Sequence, residues 1–393
     1  MMNKQIMLWG GWYGSKNVGD QALLLAITDL LGSAYPDAQF TALTANPNHV
    51  RMYAARDSKF NIRALNTRKE FMRVVRAFIK TDLFIFGGGV PFFGHPPQVF
   101  AMFVLTVLAR LSRTPYFLWS VSSQKVESRL AKKIFGWILK GADGITYRDE
   151  FTRQLFLDCG QRVENMTVGG DSVILMNTDS ADTALGLLAR AGWVPGGRPL
   201  AALTPRILRP ADGEAETHYA PKNEVQFQKE IDTYSAVFDW LWEHGYQPIF
   251  LPMNTVAPDD DRLVARKIMS QARHGNHALM IDEEIYPRAA SAVYGYCRVS
   301  FVSRVHGCIM SVKANCPVVM YAFDRKHIGL MQELGLSESI FYPEQDAARA
   351  VQMLAHILEN GEESRAALAE KLAEAGRKSM IPLYRALEIL EKK

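Results

Sequence analysis

Cysteine is scarce in this chain, with Cys159, Cys297, Cys308 and Cys316 the only four in 393 residues, and no two lie in Cys-x-x-Cys spacing. That excludes a thiolate zinc site and a disulfide framework, and predicts reduced, mostly buried thiols in a cytoplasmic protein. Charge of one sign is also lacking. A net +4 is too weak to argue for nucleic acid, although it suits a small anionic substrate or an anionic membrane surface. No apolar run approaches the roughly 20 residues of a membrane span. The longest, Val99 to Ala109, reads as a buried helix with Arg110 and Arg113 near its C-terminal dipole, and a membrane-contacting helix stays open as the alternative. Walker A, HExxH and nucleophile-elbow motifs are missing, which removes the P-loop, zinc-peptidase and serine-hydrolase classes. Nor is there a metal-ligand cluster. The start, Met1-Met2-Asn3-Lys4-Gln5, runs into a first strand and not into a signal-peptide core.

What is present is a long alternation of short apolar runs with helical patterns, the mark of stacked βαβ units and parallel sheets. Strands are expected near 6–9, 39–43, 82–86, 116–119 and 144–147, then near 200–203, 248–251, 278–281, 299–302 and 318–321. Helices are expected over 20–31, 97–111, 125–139, 150–159, 225–244, 259–272, 288–294 and 308–314. The stretch from Asp179 to Arg198, closing with Pro195-Gly196-Gly197-Arg198, marks the seam between the halves. The expected domains are residues 1–185, 195–345 and a C-terminal helical segment, 346–393. The polar stretch Arg209–Asn223 reads as a long loop. The fold class is α/β, two doubly wound Rossmann-like domains facing a cleft.

Residues just past the carboxyl ends of parallel strands face the ligand crevice. Several motifs fall there. Gly10 to Asp20 follows the first strand, with Tyr13, Asn17 and Asp20 among its polar groups. Asp20 reads either as a helix N-cap or as part of an anion-binding turn. Gly87-Gly88-Gly89 implies close approach by a ligand or a neighbouring loop, and His95 follows between Gly94 and Pro96. Arg148, in Tyr147-Arg148-Asp149-Glu150, either binds an anion or pairs with Asp149 or Glu150. Asp171 follows Gly169-Gly170, where a turn residue is the plainer reading. Ser303-Arg304-Val305-His306-Gly307 ends one strand, and Asp324-Arg325-Lys326 follows the next. A titratable His between Arg and Lys suits acid-catalysed chemistry on an anion.

This ordered set, from Trp12-Tyr13-Gly14 and Asn17-Val18-Gly19-Asp20 through to Asp324-Arg325-Lys326, resembles the polysaccharide pyruvyl transferase family. The resemblance covers residues 6 to about 336. It implies a GT-B-like fold and transfer of a carboxyethylidene (pyruvyl) group from phosphoenolpyruvate to a sugar of a cell-surface polysaccharide or its lipid-linked precursor. It further implies His306 and Arg304 as catalytic, and Arg148, Arg304, Lys326 and Ser303 at the donor. Tyr13, Asn17, Asp20, Gly88, Gly89 and His95 would line the acceptor side or cleft. No cofactor is implied beyond phosphoenolpyruvate as donor substrate, and no metal. Gln21 after Asp20, Pro91-Phe92-Phe93 after the glycines and Ser120-Val121-Ser122-Ser123 depart from the usual pattern, chiefly on the acceptor side. The implied partners are phosphoenolpyruvate and a sugar or lipid-linked oligosaccharide, not nucleic acid. The implied location is cytoplasmic, with peripheral contact at the inner membrane face left open. A nucleotide-sugar-dependent glycosyltransferase and a non-catalytic glycan-binding relative are the alternatives.

Overall fold

The computed structural model describes residues 3–10, 12–89, 91–92, 94–206, 224–257 and 259–392. The expected loop at Arg209–Asn223, together with Gly11 and Phe93, lies outside them. Two compact units are present: residues 1–15, 20–176 and 374–393 form one, and 16–19 with 177–373 form the other.

In the first unit the elements are β1 (Gln5–Trp9), α1 (Val18–Ala34), β2 (Gln39–Thr44), α2 (Pro47–Asp57), β3 (Ile62–Asn66), α3 (Phe71–Phe78) and β4 (Leu83–Gly87). They continue as α4 (Pro96–Leu111), β5 (Tyr116–Val121), α5 (Arg129–Lys140), β6 (Gly144–Tyr147), α6 (Glu150–Asp158) and β7 (Thr167–Val168). All strand pairs are parallel, in the order β3-β2-β1-β4-β5-β6-β7. The central strands read as unbroken apolar runs because both faces are covered. Leu83 to Phe86 and Phe117 to Trp119 are wholly buried.

The second unit holds α7 (Ala181–Arg190), β8 (Leu200–Thr204), α8 (Glu224–Glu243), β9 (Gln247–Phe250), α9 (Asp261–Gln271), β10 (Leu279–Met280) and α10 (Pro287–Tyr294). It continues through β11 (Cys297–Val302), α11 (Val305–Lys313), β12 (Val318–Tyr321), α12 (Arg325–Glu333), β13 (Ile340–Phe341) and α13 (Ala347–Glu359). The long α14 (Gly361–Glu391) carries the chain back to the first unit. The second sheet is also parallel, in the order β10-β9-β8-β11-β12-β13. Strand order reverses between β1 and β4 in one sheet and between β8 and β11 in the other. Such switch points open the crevices that ligands use.

The division between the units falls just before the N-terminal end of the expected 179–198 seam, not at its glycines. Gly192 and Gly196 take positive φ after the end of α7, and the chain passes between the units at Met176–Asn177. The long apolar run forms α4, which buries Val99, Met102, Leu105 and Ala109. Among the described residues no helix is long and apolar enough to cross a membrane. Cys297, Cys308 and Cys316 are buried and Cys159 half-buried, all free.

Candidate functional site

The second unit gathers a charged cluster where β8, β11 and β12 end. Arg304, two residues past β11, stands as the N-cap of α11, so His306 lies in that helix's first turn; the helix begins three residues earlier than the sequence suggested. The Arg304 guanidinium is buried between two carboxylates. Its Nε donates to Asp261 Oδ1 and Oδ2 at 3.1 and 3.0 Å, and Nη2 also donates to Asp261. Nη1 donates to Asp259 Oδ2 at 3.1 Å, and Nη2 to the Asp259 carbonyl at 3.1 Å. Asp261 also accepts the backbone N–H groups of Met253 and Asn254.

Arg206, two residues past β8, extends the cluster. Its side chain donates to Asp259, with Nη2 at 3.1 Å, and its backbone N–H donates to Ser303 Oγ at 2.5 Å. Tyr234 of α8 donates its hydroxyl to the same Ser303 oxygen at 3.0 Å. Ser303 therefore fixes the two strand ends at the switch point. Lys326 follows β12 in the first turn of α12. This helix is not among those expected from the sequence; Asp324 caps it, accepting from Lys326 N, while the Asp324 N–H donates to His327 Nδ1.

Burial dominates the electrostatics. The Lys326 ammonium is pushed down to about 7 by burial and by the like charge of Arg206, against the pull of Asp324. Burial, with Lys326, Arg206 and Arg304 close by, also drives His327 well below its ordinary value, so its imidazole stays neutral. Burial pulls Asp259 up, but Arg304 and Arg206 more than offset it and hold that carboxyl low. Asp261, fully buried, is pushed up to about 6 despite Arg304. Two guanidinium groups thus face two carboxylates, and Lys326 is the cation whose charge an incoming anion would settle.

His306 packs against a glycine of the same unit. An added Cβ on Gly19 would run into the His306 imidazole, so a side chain there would displace the ring. Asn17, directly before α1, accepts from the Gly19 N–H at 2.9 Å and does the capping expected of Asp20. Asp20 lies in the first turn, within reach of the Ser15 hydroxyl.

Arg148 lies in the first unit, buried, and pairs with neither Asp149 nor Glu150. Its guanidinium forms an ion pair with Asp171, donates from Nε to Ser122 Oγ at 3.1 Å, and from Nη2 to the Gly89 carbonyl at 3.1 Å. Asp149 instead caps α6, and Glu150 pairs with Arg153. Asp171 also accepts from Val173 N, so it is both turn residue and ion-pair partner. Ser122, in the segment that departs from the glycine-rich pattern, links Arg148 to Asp149. One buried guanidinium therefore ties the loops after β4, β5 and β7.

The close approach at the triple glycine is made by the chain itself. A Cβ on Gly88 would meet Leu23 and one on Gly87 the Tyr13 hydroxyl, which donates to the Gly87 carbonyl at 2.7 Å. Gly88 and Gly89 both take positive φ, which side chains resist. His95 is exposed at the N-cap position of α4 and makes no capping bond.

The structure brings Ser303, Arg304 and Lys326 into one cluster, with His306 two residues beyond Arg304, and sets Arg148 with Gly89 in the other unit. Arg206, Asp259, Asp261 and Tyr234 were missed. Arg206 carried a readable signal, since it follows strand β8 much as Arg304 follows β11. Asp259-Asp260-Asp261 read as helix-start residues, and of the three Asp260 caps α9 while also pairing with Arg262. Tyr234 had no signal beyond its helical spacing.

Two parallel-sheet α/β units of this kind define the GT-B class. HepE of Anabaena, solved in complex with UDP and glucose, is 12% identical, with all of both chains covered and a TM-score of 0.64. UDP-GlcNAc 2-epimerase of Neisseria meningitidis, bound to UDP-GlcNAc, is 9% identical over 98% of this chain and 100% of that one, with a TM-score of 0.62. At such identities the likeness shows the fold alone. The sequence pattern of the polysaccharide pyruvyl transferase family matches residues 17–325, and the chain belongs to that family. The amylovoran biosynthesis protein AmsJ of Erwinia amylovora is 21% identical over 240 residues, which are 59% of this chain and 55% of that protein. The chain thus spans about half the length of that relative.

Proposed function

We propose that this protein transfers a pyruvyl group from phosphoenolpyruvate to a sugar of a polysaccharide or its precursor, forming a ketal and releasing phosphate. The observation that carries it is the cation cluster of Arg206, Arg304 and Lys326, with His306 two residues beyond Arg304 in the first turn of α11, in a chain of the pyruvyl transferase family. Phosphoenolpyruvate bears a carboxylate and a phosphate, so its site needs fixed positive charge in a low-dielectric setting. Lys326 answers that need, because a bound dianion would favour its protonated form.

In the proposed reaction His306 gives a proton to the enol methylene carbon, leaving an oxocarbenium-like centre that a sugar hydroxyl attacks with loss of its proton. Phosphate then departs, a second hydroxyl adds to the same carbon and loses its proton, and the cyclic ketal closes. Asp259 and Asp261 hold the Arg304 guanidinium in one orientation, and Ser303 and Tyr234 fix the strand ends that carry it. Arg148 supports the loops of the first unit, where its Asp171 and Gly89 contacts order the glycine segment.

Thermal stabilisation by candidate donors tests the choice of donor. A ligand at a hundredfold its dissociation constant adds about 2.7 kcal/mol of stability, easily read as a shift in Tm. Phosphoenolpyruvate should stabilise the protein and UDP- or GDP-sugars should not. The opposite pattern would replace pyruvyl transfer with nucleotide-sugar glycosyl transfer.

A further inference from the structure

The basic charge of the chain is concentrated on one face of the first unit. Residues 68–80, 96–113 and 125–140, which contain α3, α4 and α5, carry twelve Lys and Arg against two Glu, while the whole chain is only +4. The remainder of the chain is therefore net negative. The three helices share one side of the sheet: their inner residues, among them Val74, Met102 and Phe135, belong to one core cluster. Their outer faces are apolar as well as basic. Met72 and Arg76 of α3 fall at i and i+4, with Ile79, its C-cap, at i+7; on α4, Phe100, Phe103 and Arg110 fall at i, i+3 and i+10. Ile79 is 71% exposed, Phe100 66% and Leu111 78%. Arg110 lies over the Trp137 ring of α5 at 3.8 Å, and Phe103 packs against the same ring at 5.3 Å, so the faces of α4 and α5 are continuous.

We propose that the outer face of α3, α4 and α5 docks on an anionic lipid bilayer, with Met72, Ile79, Phe100, Leu111 and Leu130 entering the interface and the Lys and Arg residues meeting lipid phosphates. Exposed large apolar side chains ringed by cations match an amphipathic interfacial surface. A second copy of the chain is a poor occupant, because a symmetric contact would set one strongly positive face against another. Nucleic acid would use the cations but leave the aliphatic tips of Ile79, Leu111 and Leu130 without a role. No segment crosses the bilayer in this arrangement. The docking surface is independent of the donor chemistry, so either can fail without the other.

The test is co-sedimentation of the full chain with phosphatidylcholine vesicles, with and without phosphatidylglycerol, at low and high salt. Binding is expected only to the anionic vesicles, and salt should weaken it. Each Lys or Arg near an anionic surface contributes about 1 kcal/mol, so reversing Arg73, Arg76 and Lys80 to Glu together should weaken partitioning at least a hundredfold. I79D/L111D should reduce it about as much while far-UV circular dichroism and Tm stay unchanged, since both side chains are exposed. Failure of the native chain to bind anionic vesicles at low salt would overturn the proposal. So would equal binding to neutral vesicles, or a dimer in light scattering that I79D/L111D dissociates.

Discussion

Lys326, its side chain largely buried, feels the like charge of Arg206, and burial together with that charge holds its ammonium down to about 7. A lysine in this state is half-charged near neutral pH and responds to whatever anion arrives.

Binding of phosphoenolpyruvate should therefore take up a proton. A bound dianion raises the Lys326 value, so uptake is expected from about pH 7 upward, and affinity should fall as pH rises through that point. Calorimetric titration in buffers of different ionisation enthalpy reads the uptake directly. Lys326→Met should abolish the uptake and weaken binding at least tenfold.

The same shift has a stability consequence. The folded value of Lys326 is depressed, so the unfolded chain binds more protons between about pH 7 and the ordinary lysine value near 10.5. Stability should rise with pH across that window as the folded-state penalty disappears. Lys326→Met should flatten this rise and unfold at higher temperature than the native chain at pH 7, as followed by circular dichroism.

The pairing of Arg304 with Asp261 is buried, and removing one partner leaves an uncompensated charge. Arg304→Ala should cost about 3–5 kcal/mol in chemical denaturation. Arg304→Lys should also weaken donor binding, because a point charge cannot reproduce a fork held by Asp259 and Asp261 at once. Adding Asp261→Asn to the Arg304→Ala variant should restore part of the stability and none of the binding.

Arg148→Ala should act differently. It leaves Asp171 buried without its cation and takes one of two donors from the Gly89 carbonyl, which keeps the Ser122 N–H, so a loss of about 3–5 kcal/mol is expected. Amide exchange of the loops after β4, β5 and β7 should rise together, whereas Lys326→Met should leave them unchanged.

Much of the fold could be read from the sequence because buried parallel strands are uniform apolar runs. The segment Val318–Tyr321 was placed to the residue, and the strands of the first unit nearly so. Elements that are polar or half-exposed escaped: α2, β3 and α3 alternate apolar with charged residues, and β7 and β13 span two residues each. The strand-end rule found Arg148, Arg304 and Lys326 because each follows an apolar run. It could not reveal that Arg304 is held by Asp259 and Asp261, which reach it from a segment some 40 positions earlier in the chain. Nor could it separate the units, since α14 rejoins the first from the far end of the sequence.

The central question is whether His306 turns phosphoenolpyruvate over. Phosphate release from phosphoenolpyruvate in the presence of a panel of glycan acceptors, with mass spectrometry of the glycan, should show one carboxyethylidene group gained for each phosphate freed by the native chain. His306→Ala should release phosphate at least a thousandfold more slowly, within the about 10²–10⁴ that general acid catalysis supplies, with its Tm unchanged. Near-native phosphate release by His306→Ala would contradict the assignment of His306 as the acid.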